Sequence, residues 1–267
     1  YNLDTVGARV IASATQGVGG VWLLDPSNST ITQAVADGYE ITLNSGTSVD
    51  NFVSTSINWS SGVNLYKTSG GDATLTMRQS AGGYINLTNN IISSTSGKLN
   101  LVLWADYGSN FLGNEVNITG STITTNGGHV WIGGGAATTW NGLAVGSGRV
   151  ASYSTTNQGI YIATSTITTG AGSMNFYGYS SYSGATMGTN LGVWIAPGTT
   201  LSATSGQIDI RGELNNKYST GHGLLIGGLS TYTGDVLIQT TTGAINLTGG
   251  GDDVAGGGTG FRTGLYV

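Results

Sequence analysis

The chain has 267 residues, only 8% of them charged, and its formal net charge is −5 with eight Lys and Arg in all. Those few scattered cations argue against nucleic acid as a partner; no run approaches the ~18 apolar residues of a membrane span, and without cysteine there is neither a disulfide nor a thiolate metal site. Gly, of which there are 47, must cover the surface together with Ser, Thr and Asn, a composition that suits strands better than helices.

In chain order, the first 80 residues are the least regular. Val21/Leu23, Ile31 and Ile41/Leu43 predict one coil of three short strands, and Ile57-Asn58-Trp59, Val63-Asn64-Leu65 and Leu75-Thr76-Met77 predict a second. A fixed score then recurs. Two apolar residues one apart are followed by a central apolar residue, a glycine five positions later, and a last apolar pair seven and nine after the centre. The copies are Ile85/Leu87, Ile92, Gly97, Leu99/Leu101; Val116/Ile118, Ile123, Gly128, Val130/Ile132; Ile160/Ile162, Ile167, Gly172, Met174/Phe176; Val193/Ile195, Leu201, Gly206, Ile208/Ile210; and Leu224/Ile226, Ile238, Gly243, Ile245/Leu247.

Apolar residues with period two lie on one face of a strand. Each copy therefore holds three strands with no room for a helix, and a winding chain supplies its own parallel crossovers. The expected fold is all-β, a single-stranded parallel β-helix read as a right-handed solenoid, continuous over 1–267, with less regular coils in 1–80 and regular repeats in 81–267. The glycine is expected at the corner before the third strand, where positive φ or lack of room for Cβ requires it. Loops at roughly 133–158, 177–191, 211–222 and 248–263 should protrude from one corner. They carry Arg149, Arg211, Glu213, Lys217, Asp252, Asp253 and Arg262. Gly264-Leu265-Tyr266-Val267 opens a sixth, truncated unit, and Tyr1 follows no initiator Met. An excised piece is thus expected, continued by its own polypeptide or by self-association.

Four stretches carry a family resemblance. Ser56 to Gly62, Thr74-Leu75-Thr76-Met77, Ser96 to Leu103, and Ile123 to Gly135 with its Gly133-Gly134-Gly135 end resemble the repeat regions of filamentous-haemagglutinin-like exoproteins, large bacterial β-helical adhesins exported by two-partner secretion. The resemblance spans about residues 50–250 and implies a secreted, extracellular or cell-surface shaft segment that is not an enzyme. That family's secretion domain carries Asn-Pro-Asn-Gly-type signatures, which are missing here, where Pro26 and Pro197 are the only prolines. An interior shaft position is therefore implied.

Aligned copies place Asn86, Asn117, Tyr161, Trp194, Leu225 and Tyr266 in one outward stripe. Tyr161, Trp194 and Tyr266 are the candidate ligand-binding residues, a platform for host or environmental glycans or for another filament, against the alternative of a ladder packing on its own rungs. Asn100, Asn175, Asp209 and Asn246 suggest a second ladder interrupted by Trp131. Asp209, Arg211 and Glu213 form the nearest approach to a polysaccharide-cleaving site, but an isolated trio at a strand end reads first as a solvated turn. Asp252 and Asp253 lack calcium-loop spacing, His129 and His222 lack zinc partners, and no cofactor or metal is expected. Five Asn-x-Ser/Thr sequons, at Asn28, Asn58, Asn86, Asn117 and Asn246, are what composition alone produces. Ser121-Thr122-Ile123-Thr124 and Ser165-Thr166-Ile167-Thr168 suggest an ice-binding Thr-x-Thr array, which Thr199-Thr200-Leu201-Ser202 and Val236-Leu237-Ile238 interrupt. It is therefore not the expected function.

Overall fold

A computed structural model describes residues 6–12, 19–80, 82–107, 115–152, 158–180, 190–214, 221–228, 234–251 and 262–267. Repeated apolar pairs become strands of three parallel sheets, which the chain visits in turn. The eight-stranded sheet runs Ser29–Ile31, Ile57–Trp59, Tyr84–Thr88, Glu115–Thr119, Gln158–Ala163, Asn190–Ile195, Gly221–Ile226 and Arg262–Tyr266. The six-stranded sheet runs Asn64–Lys67, Ile91–Ser94, Thr122–Thr124, Thr166–Gly170, Thr200–Ala203 and Leu237–Thr240. The ten-stranded sheet runs Val21–Leu24, Ser48–Val53, Ala73–Gln79, Leu99–Trp104, Val130–Trp140, Met174–Ser180, Ile208–Leu214 and Ile245–Gly251, with Leu143–Gly148 and Val150–Ser152 beside it.

Register aligns the repeated residues in columns. Ile57, Ile85, Val116, Ile160, Val193, Leu224 and Leu265 are successive partners in the first sheet. Leu65, Ile92, Ile123, Ile167, Leu201 and Ile238 do the same in the second. Nearly all of these side chains are buried in one continuous apolar core. Burial fades towards the last strands, where Ile245 and Leu265, both continuing inward columns, are exposed.

Hydroxyls tie the corners to the backbone. Thr125 and Thr169 each donate to the carbonyl of the glycine three residues on, Gly128 and Gly172, at 2.6 Å. Lys67 occupies the equivalent place in an earlier turn, its buried ammonium donating to Ser69 O at 2.7 Å and Ser96 O at 2.5 Å. Of the two reasons expected for the corner glycine, lack of room decides. A Cβ on Gly172, Gly206 or Gly243 would strike the carbonyl oxygen of the glycine one turn earlier, Gly128, Gly172 or Gly206. Only Gly97 of the five also has positive φ, at 65°.

Several expectations need correction. Ile41 and Leu43 lie in a helix, Gln33–Asn44, not in a strand. Thr32 caps it by accepting from the Val35 N–H, and Val35, Tyr39 and Leu43 are buried at helical spacing while Ile41 is exposed. The helix stands where later turns place a strand of the six-stranded sheet. Val21 and Leu23 face outward, with Leu24 the buried residue of that strand. The constant glycine offset also hides a slip: Val130 pairs with Leu101, not Leu99, because the turn containing Gly97 is two residues longer. Asn100 therefore stands level with His129, outside the proposed ladder, and its Oδ1 accepts from the His129 N–H at 2.9 Å.

The segments expected as loops begin as strands. Val130–Trp140 folds back on Leu143–Gly148 in an antiparallel hairpin. Met174–Ser180 and Ile208–Leu214 run on beyond the core and lie directly against the starts of the eight-stranded sheet's strands. Glycine permits the approach: a Cβ on Gly178 would meet Gly192 O, and one on Gly212 would meet Gly223 O. The parts of these segments at 153–157, 181–189, 215–220 and 252–261, with Lys217, Asp252 and Asp253, lie outside the described residues.

Candidate functional site

Period-two alternation puts every second side chain of the ten-stranded sheet outside, and near the ends of its early strands these residues include Phe52, Arg78 and Trp104, side by side in register. Arg78 forms a bidentate pair with Asp50, Nε to Oδ1 and a terminal nitrogen to Oδ2, both 2.7 Å. Its guanidinium carbon lies 4.7 Å from the Phe52 ring centroid and 5.3 Å from that of Tyr107. Trp104 stands edge-on to Tyr107 at 4.9 Å and to Trp131 at 6.1 Å, and its indole N–H donates to Gly135 O at 2.9 Å. Val102, Trp104, Trp131 and Val145 are buried together, with Tyr107, Trp140 and Leu143 half-buried around them. Since Asp50 already balances Arg78, this patch offers ring faces and edges rather than net charge.

Farther along the same face, Glu213 gathers the charges. Its carboxylate accepts from Arg149, from Arg211 at 2.5 Å and from the Tyr177 hydroxyl at 2.9 Å. Arg149 lies over the Tyr179 ring at 3.5 Å and Arg211 over Tyr177 at 4.7 Å. Burial pushes the Glu213 carboxyl up, but the Arg149 and Tyr177 hydrogen bonds and the two guanidinium charges outweigh it and hold the group below its ordinary value. Tyr177 is raised by burial and by the Glu213 carboxylate. Asp209 shares the face but is occupied elsewhere, accepting from Gln207 at 2.7 Å and Asn246 at 2.6 Å. Glu213 is therefore a poor proton donor at neutral pH, and the Asp209, Arg211 and Glu213 trio is internally satisfied.

The predicted stripe on the eight-stranded sheet is continuous in register: Asn58, Asn86, Asn117, Tyr161, Trp194, Leu225 and Tyr266 follow one another. Its three named candidates differ in access. Tyr161 is half-buried, Trp194 is 5% exposed, and Tyr266 is 49% exposed. Tyr161 and Trp194 rings are 4.9 Å apart, and Trp194, Leu225, Leu191, Ala163 and Ala196 form a buried cluster. Trp194 also donates to Gly227 O at 2.8 Å. Tyr266 packs against His222 instead, at 5.1 Å. Its Asn half is self-satisfying, since Asn86 Nδ2 donates to Asn58 Oδ1 at 3.0 Å.

His129 Nδ1 accepts from the Ser173 N–H at 2.9 Å, which requires a neutral ring. Burial, then the nearby Lys98 charge, lowers its pKa. His222 is lowered by burial. Among the described residues no three His, Asp or Glu side chains converge as a metal site would require.

Asp50, Phe52, Arg78, Trp104 and Tyr107 were not singled out from sequence. The usable signal was the run of outward positions in 48–53, 73–79 and 99–104, which becomes visible only once the register of these irregular turns is known. No protein-family profile matches the chain, and neither a curated protein nor a solved structure proved significantly similar to it.

Proposed function

We propose that the chain is a single-stranded, right-handed parallel β-helix that serves as a structural and adhesive shaft segment of a large secreted bacterial surface or extracellular filamentous protein, of the filamentous-haemagglutinin-like, two-partner-secretion kind. The observation that carries this reading is the uninterrupted register of apolar columns through three parallel sheets. Such a stack is stiff because each turn is bonded to both neighbours along its whole length. Adhesion is assigned to ring-bearing outer faces, and contact with glycans to the half-buried rings of Phe52 and Tyr107 and the exposed ring of Tyr266.

Two alternatives have less support. End-to-end stacking of subunits would need both ends open, and the helix Gln33–Asn44 covers the first edge of the six-stranded sheet. Polysaccharide cleavage would need a carboxyl able to give up a proton, whereas Glu213 is pinned as a carboxylate by two arginines and a tyrosine. Antibody raised against the purified chain tests the reading on intact cells of the source organism and on their medium. Labelled surface fibres, or secreted rods containing the chain, are the expected result. Confinement to the cell interior, or product release from acidic polysaccharides by the purified chain, overturns it.

A further inference from the structure

The outer face of the six-stranded sheet differs from the other two in composition and in order. Ile92, Ile123, Ile167 and Leu201 point into the core, so their neighbours point out. Register places Thr122, Thr166 and Thr200 in one rank, and Thr124, Thr168 and Ser202 in the next. Ser93 extends the second rank by one strand. The sequence counts Ser202 as a break in the Thr-x-Thr pattern, yet Ser keeps the hydroxyl, so three adjacent strands carry the double rank. None of the six side chains is buried, and no outward residue of this sheet is charged. Among the described residues, no protein group hydrogen-bonds the hydroxyls of Thr122, Thr124, Thr166, Thr168 or Thr200, and Ser202 Oγ accepts one bond, from Gln239 Nε2 at 3.3 Å, which leaves its own O–H free to donate outward. On the eight-stranded sheet, by contrast, Thr119 is spent on Asn117 at 2.8 Å.

The spacing identifies what such an array can hold. Neighbouring strands set hydroxyls ~4.8 Å apart within a rank, and alternate residues set the ranks ~6.7 Å apart. These distances are too long for direct hydrogen bonds. A water molecule bonded to two oxygens at about 2.75 Å each, with a tetrahedral angle between them, holds those oxygens about 4.5 Å apart. The rank period therefore approximates the second-neighbour spacing of tetrahedral water. A single hydroxyl gains little by exchanging one water partner for another. Six in a fixed lattice act together once the first is in place, and the stiff χ1 of Thr keeps the array set in advance. Liquid water offers no matching period, whereas ice does. A sugar polymer would want ring faces, and only Tyr66, at the sheet's first strand, supplies one.

We propose that this double rank is an ice-binding surface, engaging ordered water through Thr122, Thr124, Thr166, Thr168, Thr200 and Ser202. The site stands on the six-stranded sheet alone and is independent of the shaft reading. Its test is partition of the dilute purified chain between a slowly grown ice mass and the remaining liquid. The wild type is expected to enrich in the ice, and Thr166→Lys, at the centre of the array, to fall to the level of an excluded solute. Thr124→Tyr, with a native strand spectrum and melting midpoint, should do the same, while Thr248→Tyr on the ten-stranded sheet should partition like the wild type. Exclusion of the wild type from ice overturns the proposal. So does retention of enrichment by both Thr166→Lys and Thr124→Tyr.

Discussion

Gly172 and Glu213 show two ways in which one residue governs this structure. At Gly172 the neighbouring turn's carbonyl occupies the space a side chain would need. Gly172→Ala should therefore destabilise by about 1–3 kcal/mol, the usual range for overpacking. Gly71→Ala, where a Cβ would meet nothing within 4 Å, should be neutral or slightly stabilising because it restricts the unfolded chain. Denaturant midpoints of the two variants check the contrast; equal losses would remove the steric account of the corner. Glu213 is a matter of charge. Its folded pKa is depressed below 4.5, so its stabilising share is present above that value and lost as pH falls through the folded pKa. Glu213→Gln should cost about 1–3 kcal/mol at pH 7, since charge-assisted hydrogen bonds to Arg149, Arg211 and Tyr177 are weakened together. The difference from wild type should shrink in acid, and a pH-independent difference in denaturation midpoint would contradict the assignment.

Among the elements, the helix Gln33–Asn44 has the most specific task. Its polar side chains satisfy the outer edge of strand Asn64–Lys67: Gln33 Oε1 accepts from the Asn64 N–H at 2.9 Å, Glu40 from the Tyr66 N–H at 2.9 Å, and Asn44 from the Thr68 N–H at 2.7 Å. Replacing Gln33, Glu40 and Asn44 by Ala should leave the buried helix face intact. It should speed amide hydrogen exchange at Asn64, Tyr66 and Thr68, while the amides of Ile123 and Ile167 stay protected. Unchanged exchange at the first three amides would mean that the apolar face alone seals the edge. This element was the least legible in the sequence, because Ile41 and Leu43 fit a strand pair as well as a helix face. Only the Val35, Tyr39, Leu43 spacing with Thr32 before it separates the two. The repeats from Ile85 onward were legible because one short period fixes inside and outside in every strand. Register was less so: a two-residue insertion near Gly97 preserves the glycine offset while moving Asn100 off its ladder. Candidate sites suffered most, since the aromatic cluster around Arg78 arises from side chains that adjoin only after that register is set. Trp194 shows the reverse case, a correct stripe position whose burial depends on packing above the sheet.

Across the whole molecule, parallel stacking gives the two ends different characters. Apart from the hairpin strand Leu143–Gly148, the strands of a sheet run the same way, so an open last edge of one copy can accept the first edge of another and extend the ladder without limit. The helix blocks this at the Asn64–Lys67 edge, where its side chains take the N–H groups an incoming strand would use. At the opposite edge, Leu237, Ile245 and Leu265 are 46%, 39% and 42% exposed, and among the described residues Leu237–Thr240 is paired on one side alone, with Thr200–Ala203. An apolar edge of this kind, with no further strand beside it among the described residues, is competent to dock wherever a matching edge is uncovered. The Gln33, Glu40 and Asn44 triple Ala variant uncovers part of one. Sedimentation of that variant should therefore show mass rising with concentration, through head-to-tail contacts between Leu237–Thr240 of one copy and Asn64–Lys67 of the next, under conditions where the wild type does not. Adding Ile238→Lys to the triple variant should reverse the association, because a charge then meets the apolar column that begins with Leu65 in the next copy. If the triple variant exchanges its edge amides quickly yet sediments like the wild type, the helix covers the edge without guarding against polymerisation.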